Sequence, residues 1–147
     1  MSNQQVEYVE ADAAMQARIA AEWGEMQARN MHIENGFAIV ALAAGQPAGL
    51  LSVSWRELPA PLQESTEAFI DIIEVREGFR RQKIARRMIG MAAARAREHG
   101  ACQIRAWSSD DKLEAIPMWQ ALGFGLCPSS EFHAGKEIRG FLAALAV

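Results

Sequence analysis

Five cationic side chains lie within eight consecutive residues near the middle of this 147-residue chain. They are Arg80, Arg81, Lys83, Arg86 and Arg87. They lead into a segment with helical spacing, although a helix N-terminus already carries partial positive charge and free amide donors. An anion bound there would accept hydrogen bonds from those amides and offset the like charges. The spacing predicts an anion-binding turn, and a solvated basic surface is the alternative.

Two carboxylates lie just upstream, within an apolar run. Asp71 and Glu74 interrupt residues 69–75, which are otherwise Phe, Ile and Val. A carboxylate can accept a proton from an incoming nucleophile. In a regular strand Asp71 shares a face with Ile73 and Val75, and Glu74 points the other way unless a bulge intervenes. Both carboxylates are candidate bases, and the alternative for each is a solvated or Arg-paired carboxylate.

A strand and a helix must position these groups. The run 69–75 predicts a strand buried on both faces and central in its sheet. From Ile84 to Ala96 apolar residues recur every three or four positions, and Gly100 suits the left-handed residue that ends a helix. Residues 68–100 therefore predict a strand, a cationic turn and a helix.

The flanking segments predict hairpins and further helices. Strands are expected at 6–10, 37–43, 49–55, 101–107, 124–127 and 138–145, a helix divisible at Gly24 over 13–26, and loops at 56–66 and 129–136. Pro117 predicts that the helix ending at Leu122 is either kinked or starts near the proline. Antiparallel hairpins before a strand-helix-strand crossover predict an α/β domain with a mixed sheet flanked by helices.

Composition limits the class of protein. A chain of 147 residues with 50% hydrophobic content fits one domain with a substantial core. The net charge of −3 argues against a general nucleic-acid binder, so the cationic cluster is a local feature. Cys102 and Cys127 follow no metal-ligand spacing, and no leader or long apolar span is visible. We expect a reduced, cytoplasmic protein with no metal and no membrane partner.

The cationic segment resembles a known motif. Residues 75–89 are similar to the acyl-coenzyme A loop of the GNAT family of N-acetyltransferases, whose pattern is Arg or Gln, two residues, Gly, one residue, Gly or Ala. Arg80 and Ala85 match this pattern, and Lys83 replaces its first glycine. In that family the amides of the turn hold the coenzyme's pyrophosphate. If Lys83 is helical it needs no positive φ, and its side chain can swing outward or onto a phosphate.

A second segment extends the resemblance. Residues 112–124 are similar to the family's pattern of Asn, two residues, Ala, three residues, Tyr, three residues, Gly-Phe. Ala115 and Gly123-Phe124 match, whereas Lys112 replaces Asn and Trp119 replaces Tyr. The two segments together imply the GNAT, or acyl-CoA N-acyltransferase, fold over residues 1–147, with a central, mostly antiparallel sheet flanked by helices.

The resemblance implies an N-acetyltransferase that uses acetyl-CoA as cosubstrate. In this family the base is often a carboxylate on the central strand, and Asp71 occupies a position where related enzymes commonly carry a glutamate. The resemblance therefore implies Asp71 as the first candidate base and Glu74 as the second. The coenzyme-binding residues it implies are Ile73, Val75, Arg80, Arg81, Gln82, Lys83, Ala85, Arg86, Lys112 and Trp119. The family's acid is a tyrosine at the place of Trp119, but an indole has no proton to give at useful pH. Trp119 is expected only to pack on the coenzyme, and water, Ser108, Cys127 or no group at all serves the leaving thiolate.

The acceptor is predicted from local charge. Acidic residues of the loop and central strand would face the acyl end and favour a small cationic amine; they are Glu57, Glu64, Glu67, Asp71 and Glu74. The alternatives are an acyl-CoA-binding module without catalysis and, disfavoured by net acidity, a nucleic-acid-binding domain. The sequence leaves the oligomeric state open, a homodimer included, and isolated His32 is assigned no role.

Overall fold

We describe the fold from a computed structural model of residues 5–147, with the side chain of Asp110 left out. Within these residues, seven strands form one sheet and four α-helices pack against it. The strands are β1 (Val6–Glu10), β2 (Gly36–Ala43), β3 (Gln46–Glu57), β4 (Thr66–Val75), β5 (Gln103–Ser109), β6 (Gly125–His133) and β7 (Lys136–Ala146). The helices are α1 (Ala13–Glu22), α2 (Glu25–Arg29), α3 (Ile84–His99) and α4 (Ile116–Ala121).

The sheet runs in the order β1-β2-β3-β4-β5-β7-β6, so β4 is central, as the sequence predicts. Neighbouring strands are antiparallel except β4 and β5, which are parallel and connected through α3. This is the predicted mixed α/β architecture.

The two parallel strands separate soon after they meet. β4 and β5 pair only at Ala68–Ile104 and Phe69–Arg105, although β4 continues to Val75 and β5 to Ser109. Beyond that point each strand presents unpaired backbone groups toward the other. The divergence opens the sheet at its centre.

A bulge in β4 corrects one prediction. Ser52 pairs with Ile72 and Val53 with Ile70, so Asp71 is an extra residue in β4. A bulge of this kind changes which face the following side chains occupy.

Regular alternation predicts that Asp71 shares a face with Ile73 and Val75. The bulge makes this prediction wrong. Ile70, Ile73 and Val75 pack in the cluster beneath α3, and Ile72 packs with the cluster beneath α1 and α2. Asp71 instead contacts His32, which follows α2. Glu74 also points toward α2, where its carboxylate accepts a hydrogen bond from Gln27, so the regular-strand prediction that Glu74 points away from Asp71 is wrong.

Helix α3 matches its predicted pattern. Ile84, Met88, Ile89, Ala92 and Ala96 are buried, as the helical stripe requires. Gly100 ends the helix with φ +86°, a left-handed conformation that glycine adopts without steric cost.

The other helices resolve the ambiguous boundaries. Gly24 separates α1 from α2, as predicted. A 3-10 segment, Asp110–Ala115, precedes α4, which begins at Ile116 with Pro117 in its first turn, where the missing amide is tolerated.

The C-terminal strands are longer than predicted, and most of the expected loop at 129–136 is strand. A two-residue turn at Ala134 and Gly135, both with positive φ, closes the β6–β7 hairpin. Strand β6 lies at the edge of the sheet and carries mostly polar, exposed residues beyond Cys127, so no apolar run marks its full length.

Among the described residues, no helix combines the length and apolar character needed to cross a bilayer.

Candidate active site

The cationic turn, defined here as residues 80–83, connects a 3-10 segment (Glu77–Phe79) to α3. Arg81 and Lys83 both hold left-handed conformations, with φ +69° and +61°. The prediction that Lys83 is helical is wrong, because Lys83 is the residue that precedes the helix. Left-handed residues within a turn can direct successive amides into a concavity suited to anions.

The first turn of α3 keeps its amide donors available. Lys83 makes no side-chain cap, and the first turn contains no acidic residue. The first hydrogen bond of the helix runs from the Arg87 amide to the Lys83 carbonyl at 3.0 Å. Amides earlier in the turn have no intrahelical partner and can serve an anion.

A cleft of about 820 Å³, the cationic cleft, lies against this turn. Its lining includes Ile73, Val75, Arg80, Arg81, Lys83 and Ala85 from the predicted coenzyme set. Gln82 and Arg86 lie outside this lining. Arg86 instead donates to the Ala121 carbonyl at 3.2 Å, and Arg80 Nε donates to the Val75 carbonyl at 3.1 Å. Arg86 thus ties α3 to α4, and Arg80 fixes the entry to the turn.

A second cleft of about 400 Å³, the carboxylate cleft, occupies the gap between the diverging strands. Asp71 and Glu74 line it from β4, while Trp107 and Ser108 line it from β5. Met26 and Asn30 close it from the α2 side, and Lys112, Met118 and Trp119 close it from the α4 side. The two clefts adjoin, because Ile73, Glu74, Ala115 and Met118 line both.

Two side chains contact Asp71 on opposite sides. Arg56 Nη2 lies 3.4 Å from Oδ1, and His32 Nε2 lies 3.3 Å from Oδ2. The carboxylate is only 11% exposed. The Arg56 guanidinium also stacks on Phe69, 3.7 Å from the ring centre, which fixes its position.

Glu74 has a neutral partner. Gln27 Nε2 donates to Glu74 Oε2 at 3.0 Å, which connects α2 to the junction of the two clefts. Glu74 is thus the carboxylate that lies where the contents of both clefts would meet.

The structure reduces the predicted acidic cluster to these two members. Glu67 is fully buried and bonds Arg105 at 2.5 Å and Gln103 at 2.7 Å, so it is committed to an internal ion pair. Neither Glu57 nor Glu64 lines the clefts described here. Lys112 adds a positive charge to the carboxylate cleft, so the net negative charge there is smaller than the sequence predicts.

Trp119 is 3% exposed and packs edge-on against Phe124, with ring centres 4.9 Å apart. Trp119 and Lys112 both line the carboxylate cleft, and neither lines the cationic cleft. Among the described residues, the buried side-chain polar atoms without a hydrogen bond are Asp71 Oδ2, Trp107 Nε1 and Trp119 Nε1. All three belong to residues of the carboxylate cleft.

Sequence reasoning missed His32, Arg56 and Gln27. Each contacts a candidate carboxylate across at least 15 residues of chain. No local spacing connects these residues, so only a correct β3–β4 register would have found the Arg56 contact. No cluster of three potential metal ligands occurs within the part of the chain described here.

Residues 5–124 match the sequence model of the acetyltransferase (GNAT) family. The chain belongs to this family. Comparison with curated protein sequences gave no match.

Solved structures of GNAT proteins share the fold. Arabidopsis thaliana NAA60 in complex with acetyl-CoA is 12% identical, covers 97% of this chain and 100% of its own, and gives a TM-score of 0.74. The Escherichia coli ribosomal-protein-S18-alanine N-acetyltransferase is 15% identical over 97% and 94% of the two chains, with a TM-score of 0.67. Salmonella typhimurium yncA with acetyl-CoA is 15% identical over 96% and 93%, also with a TM-score of 0.67. At these identities the likeness shows the common fold.

Proposed function

We propose that this GNAT protein is an acetyl-CoA-dependent N-acetyltransferase that acts on a primary amine, specifically a small cationic one. One observation carries the proposal: a strained cationic turn with free helix amides adjoins a cleft that contains two carboxylates. This arrangement matches a substrate pair with an anionic coenzyme at one end and an amine at the other.

The residues present fit coenzyme A. The left-handed turn, the α3 amides and the side chains of Arg80, Arg81 and Lys83 would hold the pyrophosphate. Ile73 and Val75 would lie along the pantetheine arm. They belong to the part of β4 that pairs with β3 but no longer pairs with β5. Family members determined with acetyl-CoA, NAA60 and yncA, support this assignment by fold.

Acetyl transfer requires a neutral amine, so a base must take a proton from the ammonium form, directly or through water. We assign that role to Asp71, with Glu74 as the second candidate. Both line the carboxylate cleft, and both are opposite in charge to an ammonium group. A field of this sign attracts the ammonium but also holds its proton more firmly, so a base becomes more necessary.

We assign no general acid. The Trp119 indole can donate a hydrogen bond but cannot transfer a proton at useful pH. Cys127 does not line either cleft, and Ser108 lines the carboxylate cleft. A thiolate is a fair leaving group, so the transfer does not need an acid from this chain.

A thiol-release assay with acetyl-CoA tests this function. The acceptor panel comprises polyamines, amino acids, aminoglycosides and peptides. We expect thiol release that depends on a cationic amine. If acetyl-CoA binds but no acceptor supports turnover, the protein is instead a coenzyme-binding module. If the best acceptor is anionic, the charge argument for the substrate is wrong.

A further inference from the structure

We propose that His32 carries the proton away from Asp71 and so resets the base after each turnover. The inference rests on the proposed N-acetyltransferase function and adds a residue to its site. His32 does not line the carboxylate cleft; its role follows from its contact with the buried oxygen of Asp71.

Asp71 and His32 together connect two separate clefts. Asp71 lines the carboxylate cleft, whereas His32 lines a different surface cleft of about 400 Å³ with residues of α1 and the α2–β2 loop. The two side chains meet at 3.3 Å, between Oδ2 and Nε2. Oδ2 is buried from solvent, while the His32 side chain is 39% exposed. The imidazole is therefore the link between that oxygen and water.

The position of His32 is fixed by buried structure. Its backbone amide donates to Ser52 Oγ at 2.8 Å, and Ser52 is completely buried in β3. Gln16 Nε2 donates to the carbonyls of Ala28 and Met31, at 2.8 and 3.4 Å, and so holds the end of α2 immediately before His32. These contacts fix the backbone of His32 next to β3, within reach of Asp71 on β4.

His32 is also the partner of Asp71 that can accept a proton. The charged groups around this pair are Arg56 on β3, which faces Oδ1, and Glu34, which lines the surface cleft beside His32. A guanidinium stays protonated and has no acceptor site. A neutral imidazole has a free ring nitrogen and changes charge between about pH 5 and 8.

The proton passes from the amine to Asp71, then to His32 and finally to water. The ammonium nitrogen loses a proton to the Asp71 carboxylate, which becomes a neutral carboxyl group. Rotation of that group about its Cβ–Cγ bond presents the proton to neutral His32 Nε2, and the carboxylate is restored. The imidazolium then releases the proton on Nδ1 to water in the surface cleft. Tautomer exchange moves the remaining ring proton from Nε2 back to Nδ1, so that Nε2 is again a free acceptor beside Asp71.

Two substitutions of His32 test the route. His32→Gln and His32→Asn remove the proton acceptor, and we expect kcat to fall by about tenfold or more in each. The Michaelis constant for acetyl-CoA should stay unchanged, because His32 is remote from the cationic cleft. Added imidazole should restore kcat in the variants without accelerating the wild-type protein. The control is His99→Gln, a substitution of another exposed histidine that lines neither the cationic nor the carboxylate cleft.

The pH profile separates proton transfer from a structural role. We expect the pH profile of kcat to differ in shape between the wild-type protein and His32→Gln, because only the wild-type protein has a proton acceptor beside Asp71. A loss equal at every pH and insensitive to imidazole would overturn the route, as would an unchanged kcat. If the wild-type protein acetylates an amine while either of these results holds, only the route fails. If the wild-type protein acetylates no amine, the proposed function fails as well.

Discussion

Lys83 holds a left-handed conformation at the position where the family pattern has glycine. A non-glycine residue in this conformation costs roughly 1–2 kcal/mol, whereas glycine adopts it freely but loses more entropy on folding. We expect Lys83→Gly to raise the free energy of unfolding by about 0.5–1 kcal/mol, or roughly 1–4 °C in melting temperature.

The same variant tests how Lys83 contacts the coenzyme. We expect the acetyl-CoA dissociation constant, measured by titration calorimetry, to hold or decrease. Lys83→Ala is the control, since it removes the charge but keeps the strained Cβ. A tenfold weaker affinity in both variants, about 1.4 kcal/mol, would mean that the ammonium group binds phosphate directly.

The two carboxylates of the cleft differ in their partners, so substitution can distinguish them. We expect Asp71→Asn to lower turnover by at least about a hundredfold, the lower range for loss of a general base. Coenzyme affinity should be nearly unchanged, and high pH should recover part of the loss because more amine is then neutral. The measurement is the pH profile of turnover for wild type, Asp71→Asn and Glu74→Gln with the best acceptor.

Two results of this comparison would contradict the assignment of Asp71 as the base. A selective loss in Glu74→Gln would move the base to the junction of the two clefts. Unchanged profiles in both variants would mean that the amine loses its proton to bulk water.

Strand β4 and helix α3 could be predicted from sequence because their signals are local. The apolar run, the stripe from Ile84 to Ala96 and the terminal Gly100 each require only neighbouring residues. The bulge at Asp71 could not be predicted, since it depends on the register between β3 and β4. For the same reason the sequence did not reveal the contact between His32 and Asp71, and regular alternation placed Asp71 on the wrong face of β4.

Glu67 and Glu64 illustrate the same limit, because both precede the apolar run and look alike in sequence. Glu67 is buried against Arg105 and joins β4 to β5 beside their last shared pair, whereas Glu64 is exposed in the preceding loop. Glu67→Gln leaves Arg105 without its charge partner, and we expect a stability loss of about 3 kcal/mol in urea unfolding. Glu64→Gln should change stability by less than about 0.5 kcal/mol.

If the two variants are equally stable, the buried pair does not hold the parallel strands together. Acetyl-CoA affinity serves as a check on specificity, because Glu67 lies outside both clefts. It should remain unchanged wherever Glu67→Gln is folded.

The chain as one unit combines a net charge of −3 with a concentrated cationic turn. The motifs could predict the GNAT fold, whereas a single domain without a general nucleic-acid surface stays a prediction from composition. The position of the acidic groups could not be predicted, because burial removed Glu67 from the site and left Asp71 and Glu74.

Ligand binding should stabilise this unit. At about a hundred times its dissociation constant, acetyl-CoA should add roughly 2.7 kcal/mol, which corresponds to about 5–10 °C in melting temperature for a domain of this size. Free acetate at the same concentration is the control. No shift with millimolar acetyl-CoA would contradict the assignment of the cationic cleft.

The most direct test of the proposed N-acetyltransferase is the product balance of one reaction. Purified protein is incubated with acetyl-CoA and a small cationic amine, and mass spectrometry quantifies the acetylated amine and free coenzyme A. We predict that the two products appear in equal amounts, well above the rate without protein, and that Asp71→Asn suppresses both. Release of coenzyme A without acetylated amine, or binding without either product, would contradict amine acetylation by this chain.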